Sequence, residues 1–126
     1  MDQRTPLAKV RGLGSAKEGT DHFWKQRVTG VANLLLVIWM LVVLVQIAGA
    51  DYATVKRTLA APHNAIAIAL LVMSSALHMR LGMQVIIEDY VHSDGRKVLA
   101  LLANSFFAIV VALTSLFAIL KLSLGA

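Results

Sequence analysis

Three long stretches almost without charge constrain this chain more than any other feature. The first runs from Val28 to Ala50, between Arg27 and Asp51, and carries no formal charge. The second runs from Pro62 to about Glu88 with Arg80 as its one interior charge, and the third from Lys97 to Lys121. A span of hydrocarbon needs roughly 20 mainly apolar residues, and each stretch is long enough. Inside lipid the backbone must satisfy itself, which leaves helices or closed barrels. Continuous apolar runs without two-residue alternation read as helices. With 58% hydrophobic residues in 126, the chain is too apolar for a soluble domain of its size. The expected fold is therefore an all-α membrane protein with three transmembrane helices, at 28–50, 62–88 and 97–121, behind a polar tail at 1–27.

The charges set an expected orientation. Arg4, Lys9, Arg11, Lys17, Lys25 and Arg27 precede the first stretch, and Arg96 and Lys97 follow the second. The first loop has only Lys56 and Arg57, and the C-terminal end only Lys121. Positive residues stay on the cytoplasmic side, so the N-terminus should be cytoplasmic and the C-terminus periplasmic. The sequence pI near 10.0 reflects this bias and calls for no nucleic-acid partner. The polar N-terminus, without a small-residue cleavage pattern after the first apolar run, does not read as a signal peptide. Acids (Asp2, Glu18, Asp21) among its basic residues argue against a transit peptide. The absence of cysteine excludes disulfides and thiolate metal sites on this chain.

Local signals mark the helix ends. Asp21 or Thr20 is a candidate cap before the first span, with Phe23 and Trp24 suited to an interfacial belt. Pro62 suits a first turn, and Ser93 or Asp94 suits the cap of the third helix. Thr29, Asn33 and Gln46 in the first span, and Asn104, Ser105, Thr114 and Ser115 in the third, read as helix-packing polar groups.

The second span differs. At about 100° per residue, Ser74, Ser75, His78, Gly82 and Asp89 share one sector. His78 lies about 18 Å of helical rise before Tyr90, deep in the membrane, where ionisable groups are costly and a functional role is the default. The bland alternative is a neutral histidine bonded to a neighbouring helix. One histidine cannot build a zinc or copper site. It can serve as a proton relay, or as one axial ligand of a haem whose second ligand comes from elsewhere. Depth alone does not choose between these.

The segment His78-Met79-Arg80-Leu81-Gly82 continuing to Asp89-Tyr90-Val91-His92 resembles the signature of the small hydrophobic membrane anchor of succinate dehydrogenase, respiratory complex II. Glycine follows the histidine by four residues and tyrosine by twelve. The run from Gly12 to Asn33, with His22-Phe23-Trp24 and Arg27, is similar to the bacterial branch of that family. The resemblance implies that His78 is an axial ligand of a b-type haem shared with a second, cytochrome b-type anchor. It implies that Arg27 lies near the haem propionates, Tyr90 hydrogen-bonds ubiquinone and Asp89 supports that site. It further implies iron–sulfur and flavoprotein partners, electron transport from the tricarboxylic acid cycle, the bacterial inner membrane, and no succinate-oxidising site on this chain.

Each residue also has an ordinary reading. Tyr90 serves equally as a belt tyrosine, Asp89 as a solvated helix-end acid, and Arg27 as positive-inside charge. Asp89 shares the face of His78, while Tyr90 is rotated roughly 120° from it. Arg27 and Tyr90 are both expected at the cytoplasmic interface. His22 and His92 read as exposed interfacial histidines, and His63 as structural on the far side. Arg80, some 160° around the helix from His78, is expected to snorkel or to pair with an acid on a partner, and has no assigned role. The rival functions are the anchor of a fumarate reductase, and a cofactor-free small transporter or assembly protein with His78 as a proton relay.

Overall fold

The computed structural model describes residues 5–12 and 19–125. The tail positions Asp2, Arg4, Lys17 and Glu18 lie outside them. Among the described residues the chain is all helical: α1 (Pro6–Val10), α2 (Gly19–Gln46), α3 (Tyr52–Ala60), α4 (Pro62–Tyr90) and α5 (Asp94–Leu124). The three long helices, α2, α4 and α5, are long and apolar enough to cross a membrane, and the chain is a multi-pass membrane protein.

α2 starts well before the apolar stretch. No glycine or proline interrupts Thr20 to Arg27, and Asp21 and Lys25 form an exposed pair one turn apart, worth a few tenths of a kcal/mol. Phe23 and Trp24 meet edge to face, with ring centroids 5.9 Å apart. Asp21 thus sits in the first turn, not at the expected cap. The helix stops at Gln46, and Gly49 turns the chain at φ +78°, a conformation costly for residues with a Cβ.

α3 has no counterpart among the expected elements. Its nine residues are too few to hold a helix alone, and its end is held by the next one. The side chain of Asn64, 5% exposed, donates to the carbonyl of Thr58 at 2.7 Å. Ala61 is extended (φ −57°, ψ 134°), as a residue before proline prefers, and Pro62 then opens α4 as expected. At the other end Lys97 Nζ donates to the carbonyl of Glu88 at 3.0 Å, occupying one of the carbonyls a helix leaves open. Ser93 stands at the N-cap of α5 without a side-chain cap bond. Gly125 closes that helix in the left-handed conformation, its N–H on the carbonyl of Lys121.

α4 is the middle helix, packed on α2 along one side and α5 along the other, while α2 and α5 do not pack on each other. Few residues are buried: Thr29, Val43, Asn64, Ala65, Ala76, Leu81, Ile87 and Ala108. Large side chains such as Leu34, Leu35, Phe106, Phe107 and Phe117 are exposed. In water such a surface would drive association. In a bilayer it is the surface that lipid tails and neighbouring spans cover.

Candidate functional site

The seam between α2 and α4 brings together several small and polar residues of both helices. Gln26 faces Gly82, Thr29 faces His78, and Asn33 faces Ser75. Moving down one helix therefore moves up the other residue for residue, as antiparallel neighbours must. The sector predicted from periodicity is the one that meets α2, with Ser74, Ser75, His78 and Gly82 all turned into the seam.

His78 is half-buried. Its Nδ1 lies 3.1 Å from Oγ1 of Thr29, itself only 8% exposed. Thr29 Oγ1 also lies 2.7 Å from the carbonyl of Lys25 and 3.1 Å from that of Gln26. Ser74, one turn before His78, donates to the carbonyl of Thr29 at 3.3 Å, and Ser75 donates to Oδ1 of Asn33 at the same distance. Gly30 lies beside the ring, where a Cβ would meet Cε1 at 3.5 Å. Among the described residues there is no cluster of three or more His, Asp or Glu able to hold a metal ion. His78 is thus a single imidazole donor.

The interhelical register revises the place of Arg27. It stands level with Arg80 and Leu81, ten residues and roughly 15 Å of helical rise from Tyr90, so the two do not share one depth. Arg27 lies about one turn from the level of His78. Its guanidinium sits 4.3 Å from the centre of the Phe23 ring, within cation–π range. With His22, Phe23, Gln26 and Val85 it lines a crevice of about 420 Å³. Nε2 of His22 and Oε1 of Gln26 are buried there without a hydrogen-bond partner among the described residues. The reading of His22 as an ordinary exposed histidine is therefore corrected: it is half-buried and turned into the structure. The signal was its spacing, four residues before Gln26 and seven before Thr29, on the face that meets α4.

Tyr90 ends α4 and is 77% exposed. With Val91, His92, Arg96 and Ala100 it lines a separate crevice of about 350 Å³, and Nδ1 of His92 lies 3.1 Å from the carbonyl of Tyr90. Asp89 is exposed beside it. The structure thus holds two separate places, one at His78 and one at Tyr90.

Arg80 finds a partner within the chain. Its Nε donates to Oγ of Ser105 at 3.2 Å, and its carbonyl accepts from Asn104 at 2.9 Å. Periodicity within α4 could place Arg80 away from His78 but could not say what α5 presents there. His63 lies at the far end, in a crevice with Trp39, Gln46, Arg57 and Asn64.

Comparison with known proteins matches the sequence to one family. Residues 1–112 match the succinate dehydrogenase/fumarate reductase transmembrane subunit family. The succinate dehydrogenase hydrophobic membrane anchor subunit of Rickettsia bellii is 32% identical over 108 residues, covering 86% of each chain. That of Paracoccus denitrificans is 30% identical over 122 residues, 97% of this chain and 94% of the relative. The succinate dehydrogenase membrane anchor subunit of Reclinomonas americana is 31% identical over 96 residues, 74% and 80% of the two chains. No solved structure matches. The matched region holds the whole α2–α4 seam, the Tyr90 end and most of α5, and the chain belongs to the succinate dehydrogenase/fumarate reductase transmembrane subunit family.

Proposed function

We propose that this chain is the hydrophobic membrane anchor of a bacterial succinate dehydrogenase, holding one side of a b-type haem through His78 and ubiquinone near Tyr90. The observation that carries the reading is His78 in the α2–α4 seam, its Nδ1 engaged by Thr29 in a chain whose relatives are succinate dehydrogenase anchors. A haem takes only one or two axial ligands, so His78 alone suffices from this chain if a second chain supplies the other. The small residues Gly30 and Gly82 flank it. The guanidinium of Arg27 gives the adjoining crevice a cation suited to an anionic group, as the resemblance implies for Arg27 and the propionates. His22 Nε2 and Gln26 Oε1 are left there without a partner among the described residues. A buried polar atom without a partner is costly unless something bound satisfies it.

When bound, such a group supplies a one-electron redox centre inside the membrane. This chain's own contribution is to bind, orient and set the electrostatics. Arg27 offers a fixed cation at the polar edge of the seam, and His78 a neutral nitrogen donor. The phenol of Tyr90 offers a donor to a quinone carbonyl at the membrane edge, with Asp89 next to it. The iron–sulfur and flavoprotein subunits dock on the cytoplasmic side, which the excess of Lys and Arg before the first span and in the α4–α5 loop marks. A second anchor supplies the other haem ligand. Succinate oxidation belongs to the partner subunits. The named relatives favour succinate oxidation over fumarate reduction as the direction.

The purified complex, reduced with dithionite, tests the reading. We expect a b-type absorbance difference between reduced and oxidised forms, and a complex without one would sink it.

A further inference from the structure

The hydroxyl of Thr29 has one proton and three oxygen or nitrogen neighbours within hydrogen-bond range. Two of them, the carbonyls of Lys25 and Gln26 at 2.7 and 3.1 Å, can only accept. A helical threonine returning its proton to a carbonyl three or four residues back is the usual local arrangement. With the proton spent there, Oγ1 can meet Nδ1 of His78 at 3.1 Å only as an acceptor, so Nδ1 must carry the ring proton. A neutral imidazole protonated at Nδ1 has its lone pair on Nε2.

From this we infer that Thr29 is a positioning residue that fixes the tautomer and plane of His78, presenting Nε2 as the ligating atom and raising its basicity. The inference rests on the reading of His78 as a haem ligand. Hydrogen bonds to the far nitrogen of a ligating histidine orient the ring and strengthen its donation. The site is built for this task. Thr29 is buried, and its own backbone is tied to α4 by Ser74, one turn from His78. The bond therefore joins the two helices at the height of the ring, and the hydroxyl has little freedom to turn elsewhere.

The test uses the whole complex, purified with Thr29→Val, Thr29→Ser and Ser75→Ala in this chain. Valine keeps the β-branched shape and removes the acceptor, serine restores it, and Ser75→Ala removes a neighbouring α2–α4 hydrogen bond that does not touch the ring. Haem content, the ferric low-spin electron paramagnetic resonance signal and the haem midpoint potential are read on each. A weaker donor stabilises the ferric state less, so Thr29→Val should raise the potential. The expected shift is a severalfold to tenfold change in the ferric-to-ferrous ratio at fixed poise, where tenfold is about 59 mV for one electron. The resonance signal should broaden as the ring loses its fixed plane. Thr29→Ser and Ser75→Ala should match the wild type.

An unchanged potential and signal in Thr29→Val, with haem bound and His78→Leu altering the spectrum, overturns the role of Thr29 and leaves that of His78 standing. A wild-type haem indifferent to His78→Leu overturns both. If Ser75→Ala shifts the potential as much as Thr29→Val, the effect is general packing and the inference fails. Should Thr29→Val not accumulate, Thr29→Ala carries the same measurement. Failure of both to assemble where Ser75→Ala assembles assigns Thr29 to folding and overturns the inference.

Discussion

The two seams that α4 makes with its neighbours are built differently. Against α2 it presents Ser74, Ser75, His78 and Gly82, with hydrogen bonds crossing from Ser74, Ser75 and His78 and space left beside the ring. Against α5 the polar links are Arg80 with Ser105 and Asn104 in the middle of the seam, and Lys97 on the carbonyl of Glu88 at its end. Elsewhere along α5, Ala108 is buried and Thr114 bonds back to the carbonyls of Val110 and Val111 within its own helix. Without a hydrophobic force between spans, helices in lipid associate through close packing and a few hydrogen bonds. The α4–α5 seam needs no further purpose. The α2–α4 seam holds a half-buried imidazole beside small residues, with a buried histidine nitrogen nearby that has no partner among the described residues, and on that ground the proposed site is placed on this side.

The sharpest break of this comparison is His78→Leu. Leucine fills the seam with apolar volume and keeps the helix, so the chain should still insert and pack on α5. We expect bound haem in the purified complex to fall by more than half, or its reduced spectrum to change outright. A variant with wild-type haem content and spectrum would return His78 to an ordinary packing role and make the two seams equivalent.

Tyr90→Phe comes next, at the other place. Losing one hydrogen bond to a bound oxygen costs on the order of 1.4 kcal/mol, or roughly tenfold. Quinone reductase activity should fall by about that factor while succinate oxidation with an artificial acceptor persists. The haem spectrum should not move, because the ring of His78 and the phenol are separated by about 18 Å of helix. If both activities fell together, Tyr90 would be supporting the docked subunits instead of quinone.

On the α4–α5 side, Asn104→Leu removes the donor to the Arg80 carbonyl. Such bonds within membranes average about 0.6 kcal/mol, so resistance of the complex to detergent unfolding should drop by about that amount. Haem spectrum and quinone activity should stay unchanged. A spectral shift here would mean that the two seams are coupled through α4 and do not divide the labour between them.

How much of this could be read from the sequence follows from what periodicity encodes. The spans are legible because charge-free length is decisive in a bilayer, and the face of His78 because a helix rotates by a fixed angle per residue. What one helix presents to another is not legible. Sequence position puts Arg27 beside Tyr90 because both flank apolar stretches, yet the register sets it level with Arg80 instead. That register depends on where α2 begins, and Gly19 to Arg27 continue the helix on a polar composition that reads as tail. The burial of His22 and the pairing of Arg80 with Ser105 follow from the same missing information. α3 escapes a sequence reading because its stability comes from Asn64 and its neighbours, not from its own nine residues.

Gly82 offers the smallest effect and the finest cut. The resemblance singles it out, four residues after His78, yet within this chain a Cβ there meets only Nε2 of Gln26 at 3.3 Å. That atom is the tip of a flexible side chain and can give by a few tenths of an ångström. Alanine is also favoured over glycine in a helix interior by roughly 0.8–1.0 kcal/mol. Taken on this chain's contacts alone, Gly82→Ala should be neutral or slightly stabilising, with the α4–α5 seam untouched. If the purified complex instead loses haem or its partner anchor, the glycine is keeping clear a space filled by something outside this chain. The seam would then owe its small residues to the approach of that group. An unperturbed complex would assign Gly82 to ordinary α2–α4 packing and leave Thr29 and His78 as the specific part of the seam.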